Sequence, residues 1–232
     1  MYAVTSTLSM RTIQSMNESV STQPTSSERT YSGVAISERA AYRRERFIQA
    51  GITLFGSEGY QAATMRKLTA ESGLTNRYFY ESFQSMEDLL IACYESLMID
   101  FREKLKAELD NASNDPEKRI RAGLTCFFSA MSEPEFARIT HSEVLGVSAR
   151  VEAVYSRYTA DFADLLMGYL SPPGESVSAR DNTQREFVGA ALAGAVVNAG
   201  IVWVRSRYAA SLEDVVDATL TVFLGTANLL QR

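Results

Sequence analysis

The chain has 232 residues, 46% hydrophobic and 22% charged, which excludes a wholly disordered protein and allows one or two domains with a buried core. One histidine and two cysteines are too few for a cysteine and histidine zinc site, and they disfavour histidine-dependent catalysis and a disulfide scaffold. We therefore expect no metal and no cofactor. The net charge of −5 excludes a uniformly basic surface that binds nucleic acid indiscriminately.

The charge is unevenly distributed along the chain. Residues 37–83 carry seven basic and five acidic side chains, whereas residues 84–232 carry fourteen basic and twenty-one acidic ones. A slightly basic block before an acidic remainder predicts two modules with different partners, of which the first tolerates a polyanion.

The first 36 residues are rich in serine and threonine and show no periodicity, which predicts a disordered tail over 1–36. They contain no apolar segment of the signal-peptide kind, so we expect a cytoplasmic protein. From Ser37 onward helical periodicity dominates, and no window alternates strictly between apolar and polar residues. The sequence therefore predicts an all-α fold.

Capping residues and apolar stripes predict the helices in chain order. They cover about 37–57, 64–73, 75–83, 85–109, 116–131, 134–144, 149–170, 183–208 and 212–230. A Pro- and Gly-containing linker precedes the last two. We divide the chain into the tail 1–36, a three-helix helix-turn-helix DNA-binding domain at 37–84, and a helical ligand-binding and dimerisation domain at 85–232.

One segment resembles a membrane span. Residues 187–204 contain no charged side chain and meet the length criterion for a transmembrane helix. Three glycines, the central Asn198 and flanking charges make it only moderately hydrophobic. We therefore predict a fully buried helix that, together with the last helix, pairs with its twin in a homodimer, and no membrane contact.

Residues 64–83 have the layout of a helix-turn-helix, with a glycine at the turn. If Phe79 and Phe83 face inward, Arg77 and Glu81 point outward, with exposed Tyr78 and Tyr80 beside them. Arginine and hydroxyl groups donate to phosphates and to guanine edges, so this face suits DNA. The alternative is that the Tyr80 ring rests on the preceding helix.

The run from Arg44 to Leu90 resembles the DNA-binding domain of the TetR family of bacterial transcriptional repressors. Its motifs include Gly59-Tyr60 after the first helix, Thr64 opening the second, and Gly73-Leu74-Thr75 at the turn. The resemblance implies a homodimeric repressor that binds an inverted repeat in double-stranded DNA and leaves it when a small molecule binds. It also implies that Thr64, Tyr80 and Ser82 contact phosphates and that Thr75, Asn76, Arg77 and Tyr78 meet bases.

Two positions depart from that family pattern. Met86 stands where many members have a phosphate-binding lysine, and Ser82 stands where a histidine or tyrosine is common. One phosphate contact per half-site is therefore either missing or supplied by Arg43, Arg44 or the N-terminal tail.

The acidic domain offers aromatic and apolar residues for an effector of unknown identity, with a few polar anchors among them. The candidates are Phe127, Phe128, Met131, His141, Tyr155, Phe162, Leu166, Asn198 and Trp203. An enzyme is disfavoured because His141 is the sole imidazole and no Gly-rich phosphate loop occurs. The remaining alternative is a helical adaptor that binds a protein partner and no DNA.

Overall fold

A computed structural model describes residues 26–112, 115–170 and 179–230 of the chain. Over these ranges every regular element is helical and no strand occurs, so the all-α prediction is confirmed. The helices are α1 Ser26–Ser57, α2 Met65–Ser72, α3 Asn76–Ser82, α4 Met86–Asn111, α5 Pro116–Met131, α6 Pro134–Arg138, α7 Ala149–Leu170, α8 Ala179–Arg205 and α9 Leu212–Leu230.

The first helix is longer than the sequence predicts. It begins at Ser26 rather than Ser37, so the predicted disordered tail is wrong over 26–36, and the tail residues 1–25 lie outside the described ranges. Serine and threonine are weak helix formers within a helix, but extension of an existing helix adds one hydrogen bond for each residue that is fixed. Residues from Ala40 onward form a compact unit of their own.

Two clusters of buried apolar side chains fill this unit. The first holds α1, α2 and α3 together and includes Phe47, Phe55 and Phe79. The second lies among α4, α5, α8 and α9 and includes Phe128 and Trp203. Helix α4 belongs to both clusters, because its residues Leu89 to Tyr94 lie in the first, and Phe101, Leu105 and Leu109 lie in the second. The domain boundary after residue 84 stays a prediction.

The turn between α8 and α9 is defined by unusual backbone angles. Helix α8 starts at Ala179, before the predicted residue 183, and ends at Arg205. It stops before the predicted residue 208 because Arg207 and Tyr208 adopt left-handed φ angles of 57° and 58°. The Tyr208 hydroxyl donates to the Met131 carbonyl at 3.2 Å, which holds this conformation in place.

The prediction that α8 is fully buried is wrong for the single protomer. Residues Thr183–Arg205 are long and apolar enough to cross a membrane, yet only 33% of the apolar window is buried. Phe187 on α8 is 72% exposed, and Val222 on α9 is 50% exposed. The two helices therefore present apolar side chains that no other described part of the chain covers.

Candidate functional site

Aromatic packing between α1 and α3 fixes the position of the third helix. Phe47 is buried in α1, and its ring meets the edges of Phe79 and Phe83 at centroid distances of 5.5 and 6.4 Å. Such edge-to-face pairs add about 0.5–1.5 kcal/mol each to the burial of their rings. The buried side of α3 is thereby fixed, which also determines the side that faces solvent.

The turn between α2 and α3 is held by specific hydrogen bonds. The Thr64 hydroxyl caps α2 by accepting the backbone N–H of Lys67 at 3.3 Å, which leaves its own proton free to be donated. Gly73 ends α2 with a left-handed φ of 68°, a conformation that favours glycine. Arg46 Nη2 donates to the Ser72 carbonyl at 2.6 Å across this turn. The predicted helix-turn-helix is therefore present.

The N-terminal half of α3 presents polar side chains to solvent. Arg77 has a side chain that is 84% exposed, and Tyr80 is 64% exposed. Thr75 and Asn76 are also exposed, and the Thr75 hydroxyl makes no capping hydrogen bond. Tyr80 packs its ring against Phe79 of its own helix at 5.3 Å. Donors that can reach a base edge or a phosphate therefore lie side by side.

Tyr78 does not have the exposed position that the sequence predicts. It is half-buried, and the Arg43 guanidinium lies 4.5 Å from its ring centroid. The prediction of two exposed tyrosines is therefore wrong for Tyr78, because α1 covers one flank of α3. Arg44 stacks in a similar way, 5.0 Å from the Phe83 ring, and keeps an exposed position.

Glu81 is a member of this surface that the site prediction omitted. Its carboxylate accepts from Arg77 Nε at 3.2 Å and from Arg43 Nη2 at 3.4 Å. The i,i+4 spacing of Arg77 and Glu81 could have revealed the first contact. The second depends on how α1 crosses α3, which no local sequence pattern shows. The acidic group partly neutralises both arginines in the free protein.

The start of α4 lacks the lysine that was noted above. Met86 is half-buried, and so is Ser82 at the end of α3. Ser85 caps α4 by accepting the Asp88 N–H at 3.1 Å, while Asp88 accepts the Gln84 N–H at 2.9 Å. A hydrogen bond from Arg150 of α7 lowers the pKa of Asp88. The predicted cap is present, and its carboxylate is paired within the protein.

The predicted helix over 134–144 is interrupted. It comprises α6 and then a π-helical turn, Ile139–Glu143, a rare form that occurs frequently at functional sites. Arg138 Nε donates to Glu143 at 2.8 Å, and its Nη1 donates to the Ser57 carbonyl at 2.6 Å. Glu143 also accepts the Tyr60 N–H at 2.7 Å. These bonds connect the π turn directly to the end of α1.

A small aromatic cavity of about 30 Å³ lies between α4, α5 and α7. Four of the predicted effector residues line it, namely Phe127, His141, Tyr155 and Phe162. Tyr94 lines it as well, and its burial raises the pKa of its hydroxyl, which therefore stays protonated. Tyr94 could not be selected from sequence patterns, because the rings that it contacts, those of Tyr155 and Tyr158, are distant in the chain.

The other five predicted effector residues lie elsewhere. Phe128 and Trp203 pack against each other at 5.8 Å in the core, and Leu166 is half-buried against that core. Asn198 is exposed on α8, and Met131 lines a different cleft that also includes His141. The prediction of a single pocket formed by all nine residues is therefore not reproduced.

Comparison with known proteins identifies the helix-turn-helix region. Residues 47–93 match the sequence profile described as bacterial regulatory proteins, tetR family. The chain is also 30% identical over 78 residues to an uncharacterised HTH-type transcriptional regulator, YerO, of Bacillus subtilis strain 168. That match covers 34% of this chain and only 27% of the relative.

Solved structures with the same fold extend over most of the chain. One is the transcriptional regulator FadR from Bacillus subtilis in complex with stearoyl-CoA, with a TM-score of 0.63 and 17% identity, covering 77% of this chain and 96% of that one. Another is AibR in complex with isovaleryl coenzyme A and operator DNA, with a TM-score of 0.56 and 18% identity, covering 78% and 97%. At these identities the likeness shows a shared fold.

Proposed function

We propose that this chain, which carries the DNA-binding domain of the tetR family of bacterial regulatory proteins, is a transcriptional repressor rather than an enzyme. It binds operator DNA as a homodimer in the cytoplasm and is released by a small molecule. The observation that carries this proposal is the solvent-facing side of α3, where Thr75, Asn76, Arg77 and Tyr80 are all exposed beside a fixed turn.

The roles of these residues follow from their positions on the helix. Arg77 and Asn76 lie at the start of α3, where a recognition helix meets base edges in the major groove, and Arg77 can address guanine O6 and N7 together. Thr64 and Tyr80 lie to the sides with hydroxyls that can donate to phosphates. Arg44 is exposed, and the ion pairs of Glu81 are with Arg43 and Arg77 instead. Arg44 is therefore our candidate for the phosphate contact that Met86 cannot make.

The dimer would form through α8 and α9. An inverted repeat requires two recognition helices related by a two-fold axis, and therefore a symmetric interface elsewhere in the chain. Both helices expose apolar side chains, and Gly194 and Gly225 have open space around them. Small residues of this kind let a partner helix approach closely. We prefer a second copy of the chain to a membrane as the partner of these helices. Helix α9 has three acidic residues in its first two turns, Glu213, Asp214 and Asp217, which do not suit a membrane.

The effector would bind in the aromatic cavity lined by Phe127, Tyr155 and Phe162. Its lining is mostly apolar and aromatic, which suits a hydrocarbon chain once the lining side chains move apart, because the closed cavity of about 30 Å³ has room for only about two water molecules. Two proteins of the same fold hold stearoyl-CoA and isovaleryl coenzyme A, so acyl-CoA compounds are the first to test. The lining residues with polar groups for orienting such a ligand are Tyr94, His141, Tyr155, Tyr158 and Thr159.

Selection of bound fragments from random duplex DNA by the purified full-length chain tests this function. We expect a consensus with inverted symmetry, and an affinity that falls with salt with a log–log slope of about −0.9 per phosphate contact. The variant Arg77→Ala should lose the base preference at one position per half-site, whereas Arg157→Ala, which removes an exposed arginine of α7, should keep the full consensus. No enrichment of any sequence would favour the adaptor alternative and overturn the proposal.

A further inference from the structure

A second cleft lies on another side of His141, away from the aromatic cavity. It has a volume of about 990 Å³, counting its open mouth, and it is bounded by α1, α6 with the π turn, and the end of α8. Its apolar wall is formed by Met131, Ala137, Ile201 and Val204. The space is large enough for a small organic molecule.

Positive charge is concentrated at this cleft. Arg205 and Arg138 both line it, and within the described ranges Arg205 has neither an ion pair nor a hydrogen bond. Arg138 uses Nε and Nη1 for Glu143 and the Ser57 carbonyl, but its Nη2 forms no hydrogen bond. Because Glu143 compensates only one of the two guanidinium groups, the cleft has one cation left to pair with an anion.

His141 provides a second, independent indication of a ligand. Both of its ring nitrogens are buried and have no hydrogen-bond partner in the described part of the chain. A buried imidazole without partners is unfavourable, because it has lost its hydrogen bonds to water. Burial lowers the pKa of His141 to about 4, so near neutral pH the ring offers one donor and one acceptor.

We propose that this cleft binds a small amphipathic molecule whose carboxylate or phosphate group pairs with Arg205, next to Arg138. Its alkyl part lies on Ile201, Val204 and Met131, and its anionic group or a neighbouring oxygen can satisfy His141. The cleft shares His141 with the aromatic cavity assigned above, and its other lining residues are different. Its existence does not depend on whether the protein binds DNA.

The chain contains its own reporter for this site. Trp203 is the single tryptophan, and its ring lies 4.9 Å from that of Tyr208, which lines the cleft. A ligand in contact with Tyr208 therefore changes the surroundings of the indole. Titration calorimetry on the same samples provides a measurement that does not depend on the fluorescence response.

The test is a titration of the full-length protein with octanoate and with octyl phosphate, each below its micellar concentration, and with neutral octan-1-ol as the control. We expect saturable binding of at least one anion, with octan-1-ol binding about tenfold more weakly or not at all. The tighter of the two anions identifies carboxylate or phosphate as the preferred group.

Two arginine variants separate the site from a general charge effect. Arg205→Met should weaken binding of the anion about tenfold or more, because it removes the unpaired cation. Arg207→Met removes the same charge from a residue that does not line the cleft, and it should bind like the unmodified chain. Equal binding by Arg205→Met, equal binding of octan-1-ol, or no saturable binding of either anion would overturn the proposal.

Discussion

At the scale of single residues, Glu81 limits the positive charge that α3 can present. Its carboxylate lies within 3.4 Å of two guanidinium groups, those of Arg43 and Arg77, and it would face DNA phosphates in a complex. Exposed ion pairs of this kind are worth about 0.2–1 kcal/mol, so they can be exchanged for contacts with DNA. We therefore expect Glu81 to weaken non-specific binding to DNA.

Replacing Glu81 by glutamine should strengthen binding to DNA of any sequence. We expect a gain of about 0.2–1 kcal/mol per half-site and a salt slope steeper by up to about 1, because both arginines become free for phosphates. Anisotropy titrations at several salt concentrations measure both quantities. Glu152→Gln, an equal charge change on an exposed residue of α7, is the control and should alter neither. Unchanged binding by Glu81→Gln would show that Glu81 does not face DNA.

His141 should make the stability of the fold dependent on pH. Its pKa is about 4 in the folded protein against an ordinary value of 6.5, so the unfolded chain binds more protons between these values. Stability is thus full above pH 6.5 and falls as the pH drops toward 4, by about 3 kcal/mol from this group.

The variant His141→Phe isolates this contribution. It cannot be protonated and keeps a ring of similar shape, so its free energy of unfolding should fall by about 3 kcal/mol less between pH 7 and pH 4. Urea unfolding at fixed protein concentration measures the difference between the two chains. Identical pH dependence in both would mean that the pKa of His141 is the same in the folded and the unfolded chain.

At the scale of elements, the connection between the DNA-reading and effector regions has two routes. Helix α4 is the first route we expect, because its residues lie in both hydrophobic clusters. The second route is the link from the π turn to the end of α1, where Glu143 accepts the Tyr60 N–H and the Arg138 guanidinium. In sequence His141 lies between Arg138 and Glu143, and it lines both the aromatic cavity and the cleft.

Glu143→Ala should loosen the end of α1 without unfolding the chain. The change leaves the Tyr60 N–H without its acceptor, at a cost of about 1–3 kcal/mol, and frees Arg138 from its carboxylate. Hydrogen exchange should therefore accelerate at the Tyr60 amide more than elsewhere. Ser142→Ala, at an exposed neighbouring residue, should leave this rate unchanged. An unaltered Tyr60 rate in Glu143→Ala would remove this route.

At the scale of the whole molecule, the exposed apolar surfaces of α8 and α9 account for the proposed dimer. Val222 is half exposed in the protomer, so a charge at this position is tolerated by the fold but not by an interface. Ala195 on α8 is already partly covered within the protomer, so a charge there would test the interface less cleanly than a charge at Val222.

Val222→Glu should therefore yield a folded monomer. An uncompensated buried charge costs about 3–5 kcal/mol, and two-fold symmetry places it on both sides of the interface. Light scattering at micromolar concentration gives the mass, and circular dichroism verifies that the helices remain. Ile99→Glu introduces the same charge on α4 at a residue that is 49% exposed, and it should remain dimeric. A dimeric Val222→Glu would place the interface elsewhere.

The sequence predicts the elements better than it predicts their surroundings. Helices α7 and α9 have the predicted bounds, and the caps at Ser85 and Ser211 were recognised because capping depends on residues only three positions apart. The helix start at Ser26 and the π turn were missed, because both depend on the continuation of a helix already formed.

The candidate site was predictable only in part, for a related reason. Helical periodicity correctly places Arg77 and Tyr80 on the exposed side of α3, since a period of 3.6 residues is local. The covered position of Tyr78 and the contact between Arg43 and Glu81 arise from the crossing of α1 and α3. The aromatic cavity similarly combines residues from five helices and the π turn, whose packing no local pattern specifies.

The central claim is that the exposed side of α3 reads DNA sequence, and one competition experiment tests it most directly. Operator duplexes with single-base changes are titrated against Arg77→Ala and Tyr80→Phe. Arg77→Ala should lose about 1–3 kcal/mol at one position per half-site and with it the preference for that base. Tyr80→Phe should weaken all duplexes alike, by about 0.5–1.5 kcal/mol per half-site. An unchanged base preference in Arg77→Ala, or a relaxed one in Tyr80→Phe, would contradict the account.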